Sequence, residues 1–180
     1  MEDKIQEMKK KIISNLFLLS ITVLSMSCTN YHYDETKTIA DAGWSYADKK
    51  DFNFEISDTN FIYNIYLEVK HSTTYTAQNV YSKVYVSFPD SKTRDQQVSI
   101  ELADGKGEWL GKCSGKSCIR RIPFMPNAVF DQIGKYKLSF EQFTRTDNIV
   151  GIEKLRLIVE KTKEKRADSA INKNQQKKVS

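Results

Sequence analysis

An all-β fold, two antiparallel sheets packed as a sandwich of about seven or eight strands, is predicted by three features of the 180-residue chain. Apolar and polar residues alternate over long stretches, turn-forming clusters recur roughly every ten residues, and no convincing amphipathic helix precedes the C-terminal tail. Parallel sheets need helical crossovers, for which there is no room. Nine Tyr and nine Phe suit pleated surfaces, where aromatic rings pack well.

The elements follow in order. Phe52, Phe54 and Ile56 share one face of a strand over 51–56. Phe61, Tyr63, Ile65, Leu67 and Val69 alternate with Asn64, Glu68 and Lys70, which predicts a half-buried strand over 61–70. In the next strand, 80–88, Val80, Val84, Val86 and Phe88 point inward and Tyr81, Lys83 and Tyr85 outward, and Pro89-Asp90-Ser91 closes it. Val98, Ile100 and Leu102 form a fourth. Asp104-Gly105-Lys106-Gly107 then turns the chain into Trp109-Leu110. A short strand over 118–122 stops before Pro123 and Pro126, and 127–133 allows one helical turn. Tyr136, Leu138 and Phe140 mark the next strand, and Leu155, Leu157 and Val159 the last.

The ends read differently. Lys9-Lys10-Lys11, the apolar run 12–24 and the small residues before Cys28 describe a secretory leader over 1–27. The run is shorter than the roughly 20 residues that span a bilayer. A lone Cys after small residues is the lipoprotein variant, with Cys28 taking a diacylglyceryl group and becoming the new first residue. Glu2, Asp3 and Glu7 are unusual in a leader, and a start at Met8 gives a cleaner one. Residues 28–50 read as a lipidated tether, 51–162 as the sandwich, and 163–180 as a basic, disordered tail. The segment 161–180 alone carries a charge of +5, equal to the whole chain, so the basicity describes a tail and not a nucleic-acid-binding face.

Chemistry-bearing patterns are few. With Cys28 lipidated, Cys113 and Cys118 remain, separated by a Gly-containing loop, and are expected to form a disulfide in an oxidising compartment, a free pair being the alternative. Such a bond stabilises by about 2 kcal/mol in the chain-entropy model. The Gly-Lys pairs miss the phosphate-loop spacing, because Lys106 and Cys113 stand where it needs Gly and Ser or Thr. His32 and His71 are the two histidines, and His71 beside Ser72 lacks a nucleophile elbow. Asp58, Asp90 and Asp104 sit in turns, where Asp caps backbone N–H groups. Trp44 and Trp109 read as core. No catalytic residue, cofactor site or metal site is predicted.

Several segments nevertheless form a recognisable set: Trp44, Phe54-Glu55-Ile56-Ser57-Asp58, Tyr63-Asn64-Ile65, and Lys70-His71 followed by Tyr75 and Asn79-Val80. Leu102-Ala103-Asp104 with Gly107-Glu108-Trp109-Leu110-Gly111 forms the centre, and Gly134-Lys135-Tyr136, Glu141-Gln142 and Arg145 the close. Over residues 44–160, together with the lipid signal, the chain resembles the gliding-motility lipoprotein GldH family of Bacteroidetes-type bacteria. Lys70 stands where that family often has Arg. The resemblance implies a membrane lipoprotein needed for movement over surfaces, with no catalytic residues to carry over. Two classes of function are expected. One is a non-catalytic structural or interaction lipoprotein working with envelope or motility proteins. The other is an extracytoplasmic glycan-binding module using Tyr81, Tyr85 and the tryptophans. The residues after Cys28 lack an early acidic cluster and read as outer-membrane and periplasm-facing.

Overall fold

The computed structural model describes residues 31–166. The leader 1–27, Cys28 and residues 167–180 of the tail lie outside the described residues. The strands are β1 (Tyr31–Thr38), β2 (Trp44–Ser45), β3 (Lys50–Ile56), β4 (Phe61–Ser72), β5 (Asn79–Ser87), β6 (Thr93–Glu101), β7 (Lys112–Ser114), β8 (Ser117–Ala128), β9 (Gly134–Gln142), β10 (Asn148–Ile149) and β11 (Ile152–Lys165). One sheet has the order β1-β11-β4-β8-β7, the other β3-β9-β5-β6, and β2 and β10 pair as a small ribbon. Every pairing is antiparallel. The all-β sandwich read from the alternation is the fold.

The core lies where the alternation places it. Phe52, Phe54 and Ile56 of β3 stand opposite Leu138, Tyr136 and Gly134 of β9. Ile65, Leu67 and Val69 of β4 pair with Val159, Leu157 and Leu155 of β11, and all six are buried. Truncating any large one to Ala costs about 2–5 kcal/mol. One end is closed by aromatic packing. Phe130, from the β8–β9 connection, meets Tyr136 at 4.8 Å and Tyr63 at 5.4 Å between ring centroids.

Three boundaries differ from the sequence reading. The segment read as a tether contributes β1, which pairs with β11 from Tyr31 to Thr38, and it contributes Trp44, fully buried in β2. An edge strand buries only part of one face, so Tyr31-His32-Tyr33-Asp34-Glu35 stays polar while still half-buried on alternate residues. Strand β8 runs on through Pro123 and Pro126 to Ala128. Its partner β7 covers only Ser117–Ile119, so the later residues form a sheet edge where a missing N–H is tolerated. There is no helical turn over 127–133; Asn127 takes a positive φ of 54° near the end of β8, and the loop begins after Ala128. Finally, β11 continues to Lys165, which pairs with Phe61, so the sheet ends three residues later than expected.

The outer face of the first sheet is tied by charge. The Arg156 guanidinium donates to both carboxylate oxygens of Asp34 (2.6 and 2.5 Å) and to Glu68 (3.0 Å), linking β1, β11 and β4. Arg121 of β8 lies over the Tyr66 ring at 4.2 Å and 3.7 Å from Glu68. The Arg156 hydrogen bonds hold the Asp34 carboxyl below the usual range.

Candidate functional site

At the end of the sandwich remote from Tyr31, three loops enclose an open groove of about 890 Å³. Its walls come from the β4–β5 loop (Thr74 to Ala77), the β9–β10 loop (Phe143 to Thr146) and the β10–β11 turn (Val150, Gly151), with Tyr81 and Gln97 at one rim. Tyr81 is 52% exposed, Phe143 44% and Val150 65%. Tyr81 and Phe143 are cross-strand neighbours, since the Phe143 N–H donates to the Tyr81 carbonyl at 2.8 Å.

Gln142 holds the β9–β10 loop. It is fully buried, and its amide uses both ends. The Nε2 donates to the carbonyls of Thr146 (3.0 Å) and Asp147 (3.2 Å), and the Oε1 accepts from the Thr144 N–H (3.0 Å) and hydroxyl (2.7 Å). Gln142 thus makes four of the bonds that shape this polar loop; the Tyr46 hydroxyl donating to the Thr144 carbonyl and the Thr144 hydroxyl bonding to Thr146 add the others. On the other wall the Tyr75 hydroxyl donates to the Asn79 carbonyl at 3.1 Å, and burial raises its pKa. Gly151, at φ 98°, lets the backbone pass the Tyr75 ring; a Cβ there would stand 3.2 Å from it.

The resemblance motifs converge here. Tyr75, Asn79 and Arg145 line the groove and Gln142 lies beneath it. His71 is buried behind Tyr75, with its ring 4.6 Å from Trp109. Its Nδ1 lies 3.0 Å from the Ser72 carbonyl, and its Nε2 has no hydrogen-bond partner among the described residues. Trp44 anchors the ribbon below, donating from Nε1 to the Asp48 carbonyl at 2.7 Å. The Asp residues read as turn caps act as such: Asp58 accepts from the Asn60 N–H, Asp90 from Lys92, and Asp104 from Lys106 and Glu108.

Other predicted residues lie elsewhere. Cys113 and Cys118 face each other across the β7–β8 hairpin with a Cα separation of 3.9 Å, placing the sulfurs within bonding reach. Tyr85 lies mid-sheet, its ring under Lys49 at 4.2 Å and Lys83 at 5.2 Å and its hydroxyl donating to Glu141 at 2.8 Å. Burial alone would raise the Glu141 carboxyl, but hydrogen bonds from Lys49 and Tyr85 bring it below the usual range. A glycan platform built from Tyr85 and the tryptophans therefore loses most of its members: Trp44 is inaccessible, Trp109 is packed on His71, and Tyr85 is enclosed by lysines. Among the described residues no cluster of three or more His, Cys, Asp or Glu could hold a metal ion.

Sequence reading missed Phe143 and Val150. The available signal was register: Phe143 falls on the same outward face as Glu141, an apolar residue on a polar face.

Comparison with known proteins gives a consistent answer. The description GldH lipoprotein matches residues 31–157. A gliding motility lipoprotein GldH homolog of Christiangramia forsetii is 26% identical over 141 residues, covering 78% of this chain and 86% of that protein. The gliding motility lipoprotein GldH of Flavobacterium johnsoniae is 23% identical over 147 residues, covering 81% and 91%. Among solved structures, the VP2 subviral particle of infectious bursal disease virus aligns with 77% of this chain and 36% of its own at 14% identity. Its TM-score is 0.36, too low to bear on architecture or function. With most of the sandwich covered by one family description, the chain belongs to the GldH lipoprotein family.

Proposed function

We propose that the chain is exported, lipidated on Cys28 and held in the outer membrane facing the periplasm, where it acts as a non-catalytic interaction component of a gliding-motility or envelope-assembly apparatus. The observation that supports a contact role is the division of labour in the groove. Its buried polar side chain, Gln142, is satisfied internally, while its apolar rim, Tyr81, Phe143 and Val150, faces water. Exposed apolar groups ringed by polar ones favour burial against a partner. General acid–base catalysis needs a positioned group within reach of a substrate, whereas His71 is buried and Glu141 is neutralised by Lys49 at 2.9 Å.

The test is complementation of a deletion strain. Cys28→Ala should release the protein from membranes or leave an uncleaved precursor, and abolish function. The double change Tyr81→Ala, Phe143→Ala should abolish function at normal Tm and membrane level, because both side chains are half-exposed. Glu141→Gln should be tolerated. Unchanged membrane fractionation of Cys28→Ala with a normally cut leader would sink the anchor. Loss of function in Glu141→Gln, with Tm and membrane level intact, would point to catalysis instead.

A further inference from the structure

A second surface, which meets the groove only at Gln97, lies along the side of the sandwich where β6 and β8 are the outer strands. Strand β6 is the last of its sheet and pairs only with β5, in unbroken register from Thr93–Ser87 to Glu101–Asn79. The bonds from the Phe88 N–H to the Lys92 carbonyl and from the Leu102 N–H to the Gln78 carbonyl fix the ladder's phase. Residues 94, 96, 98 and 100 turn their backbone groups toward β5. Thr93, Asp95, Gln97 and Ser99 turn theirs outward, to no strand among the described residues. Of the other edges, β3 is also unbroken, pairing only with β9, but its inner face is fully covered, with Phe52, Phe54 and Ile56 buried, and its Glu55 carbonyl lies beside His32 of β1; the remaining edges are interrupted. Strand β8 carries Pro123 and Pro126, and β1 shifts register between Tyr31 and Tyr33. Among the described residues β6 has neither device.

Directly inside this edge the two sheets fail to close. A cleft of about 380 Å³ opens beside Arg94, Asp95 and Gln96, with Val86, Phe88, Phe124, Met125 and Val129 among its apolar walls. That volume falls within the range of small binding sites, about 300–1,000 Å³. Val84 and Val86 of β5 stand opposite Gln96 and Arg94, so those two side chains occupy the inward face of β6, yet both are exposed. Further along, Val98 is half-buried and Ile100 buried, and there the sandwich is closed. The sheet thus lacks a cover over the stretch 93–97 only. Arg94 lies at the mouth, 5.5 Å from the Phe88 ring, with no carboxylate within ion-pair distance among the described residues.

We propose that the β6 edge and this cleft receive an extended segment of a partner protein, added as a fifth strand of the β3-β9-β5-β6 sheet. Its backbone pairs with the outward groups of Thr93, Asp95 and Gln97. Alternate side chains, large and apolar, enter the cleft, because successive residues of a strand point to opposite faces. An acidic residue near the mouth pairs with Arg94. An acyl chain would fill the apolar walls but leave the edge donors and acceptors unused, and a strand satisfies both.

The probe is a library of random twelve-residue peptides displayed on phage and selected against the purified full chain. Enriched peptides should carry apolar residues at i, i+2 and i+4, and a synthetic copy of one should slow amide exchange at Asp95 and Gln97. Gln97→Pro removes an outward donor without touching the β5 ladder, and Met125→Glu charges the cleft. Each should weaken the synthetic peptide at least tenfold, with Tm checked for both. Enrichment without the period of two, no enrichment at all, or equal affinity for folded Gln97→Pro would overturn the proposal. So would protection of these amides by phosphatidylethanolamine vesicles alone, or a dimer of this chain that Gln97→Pro disperses. The amide-exchange measurement on the wild-type chain decides the matter even if a variant does not fold.

Discussion

Gln142 offers the sharpest test of how the groove is built, because one buried amide makes four hydrogen bonds to a loop whose other side-chain bonds are one from Tyr46 and those between Thr144 and Thr146. Truncation to Ala removes two donated and two accepted bonds. A typical bond contributes about 1 kcal/mol net. Thr144 is half-exposed and Thr146 and Asp147 are exposed, so their freed groups regain water and the full penalty of orphaned buried groups does not apply. The expected loss is about 2–3 kcal/mol, or a Tm lower by about 6–10 °C for a domain of this size. The isosteric change Gln142→Glu separates hydrogen bonding from packing. At pH 7 a carboxylate would face the carbonyls of Thr146 and Asp147, both acceptors, so Glu should be at least as harmful as Ala. Its neutral form can donate one bond, so the folded state raises its pKa above the unfolded value of about 4.3. A raised folded pKa means that stability is retained below the unfolded value and lost as pH rises. Urea unfolding of wild type and both variants, each pair compared at the same pH, should show the Glu deficit small near pH 4 and larger at pH 7. If Gln142→Glu matched wild type within 0.5 kcal/mol at pH 7, the loop would not depend on these donors and the reasoning would fail.

Mature protein should show no free thiol at Cys113 or Cys118 until reduced; reaction of both with a thiol reagent under denaturing, non-reducing conditions would refute the disulfide. Arg156→Met should cost only about 1–2 kcal/mol by urea unfolding, since the site is about one-third exposed and solvent screens the pair; a larger loss would show that the four-strand network is more than a surface clamp. Asp34, Glu141 and Glu153 have carboxyls held below their usual range, so their contribution is complete above about pH 4 and disappears as pH falls through the folded values. Arg156→Met should therefore flatten the acid limb of the stability curve, and an unchanged limb would contradict the assignment. If translation starts at Met8, Met1→Ala should leave expression intact while Met8→Ala abolishes it, and the reverse would establish the acidic extension.

What the sequence discloses follows from how fully each strand's inner face is buried, which is why β3, an edge strand with Phe52, Phe54 and Ile56 buried, is readable. Strands β4 and β11 each have neighbours on both sides and a buried inner face, and their alternation is strict enough to read directly. Strand β1 has one neighbour and a half-buried face, so selection for burial leaves a weaker trace, and its eight residues read as tether. In β8 the prolines suggested an end. They lie instead beyond Ile119, in the stretch that β7 leaves uncovered, which is information about neighbours rather than about termination.

The groove was legible only as scattered residues, because its walls come from segments some 70 residues apart that no local period connects. What joins them is close backbone approach. Gly43, at φ 109°, lies where a Cβ would come within 2.8 Å of the Ile149 carbonyl oxygen, and Gly151 lies against the Tyr75 ring. These contacts press the β2–β10 ribbon and the β10–β11 turn onto the β4–β5 loop, and Gln142 fixes the remaining wall from below. Loops free to choose a conformation would need no such glycines and no buried amide. Their presence at one end implies that the shape of that end is specified as tightly as the core, which is what a surface must have to recognise the same partner each time. On the proposed contact role, the backbone that carries Tyr81 and Phe143 is already held in place, so binding there would cost little backbone freedom.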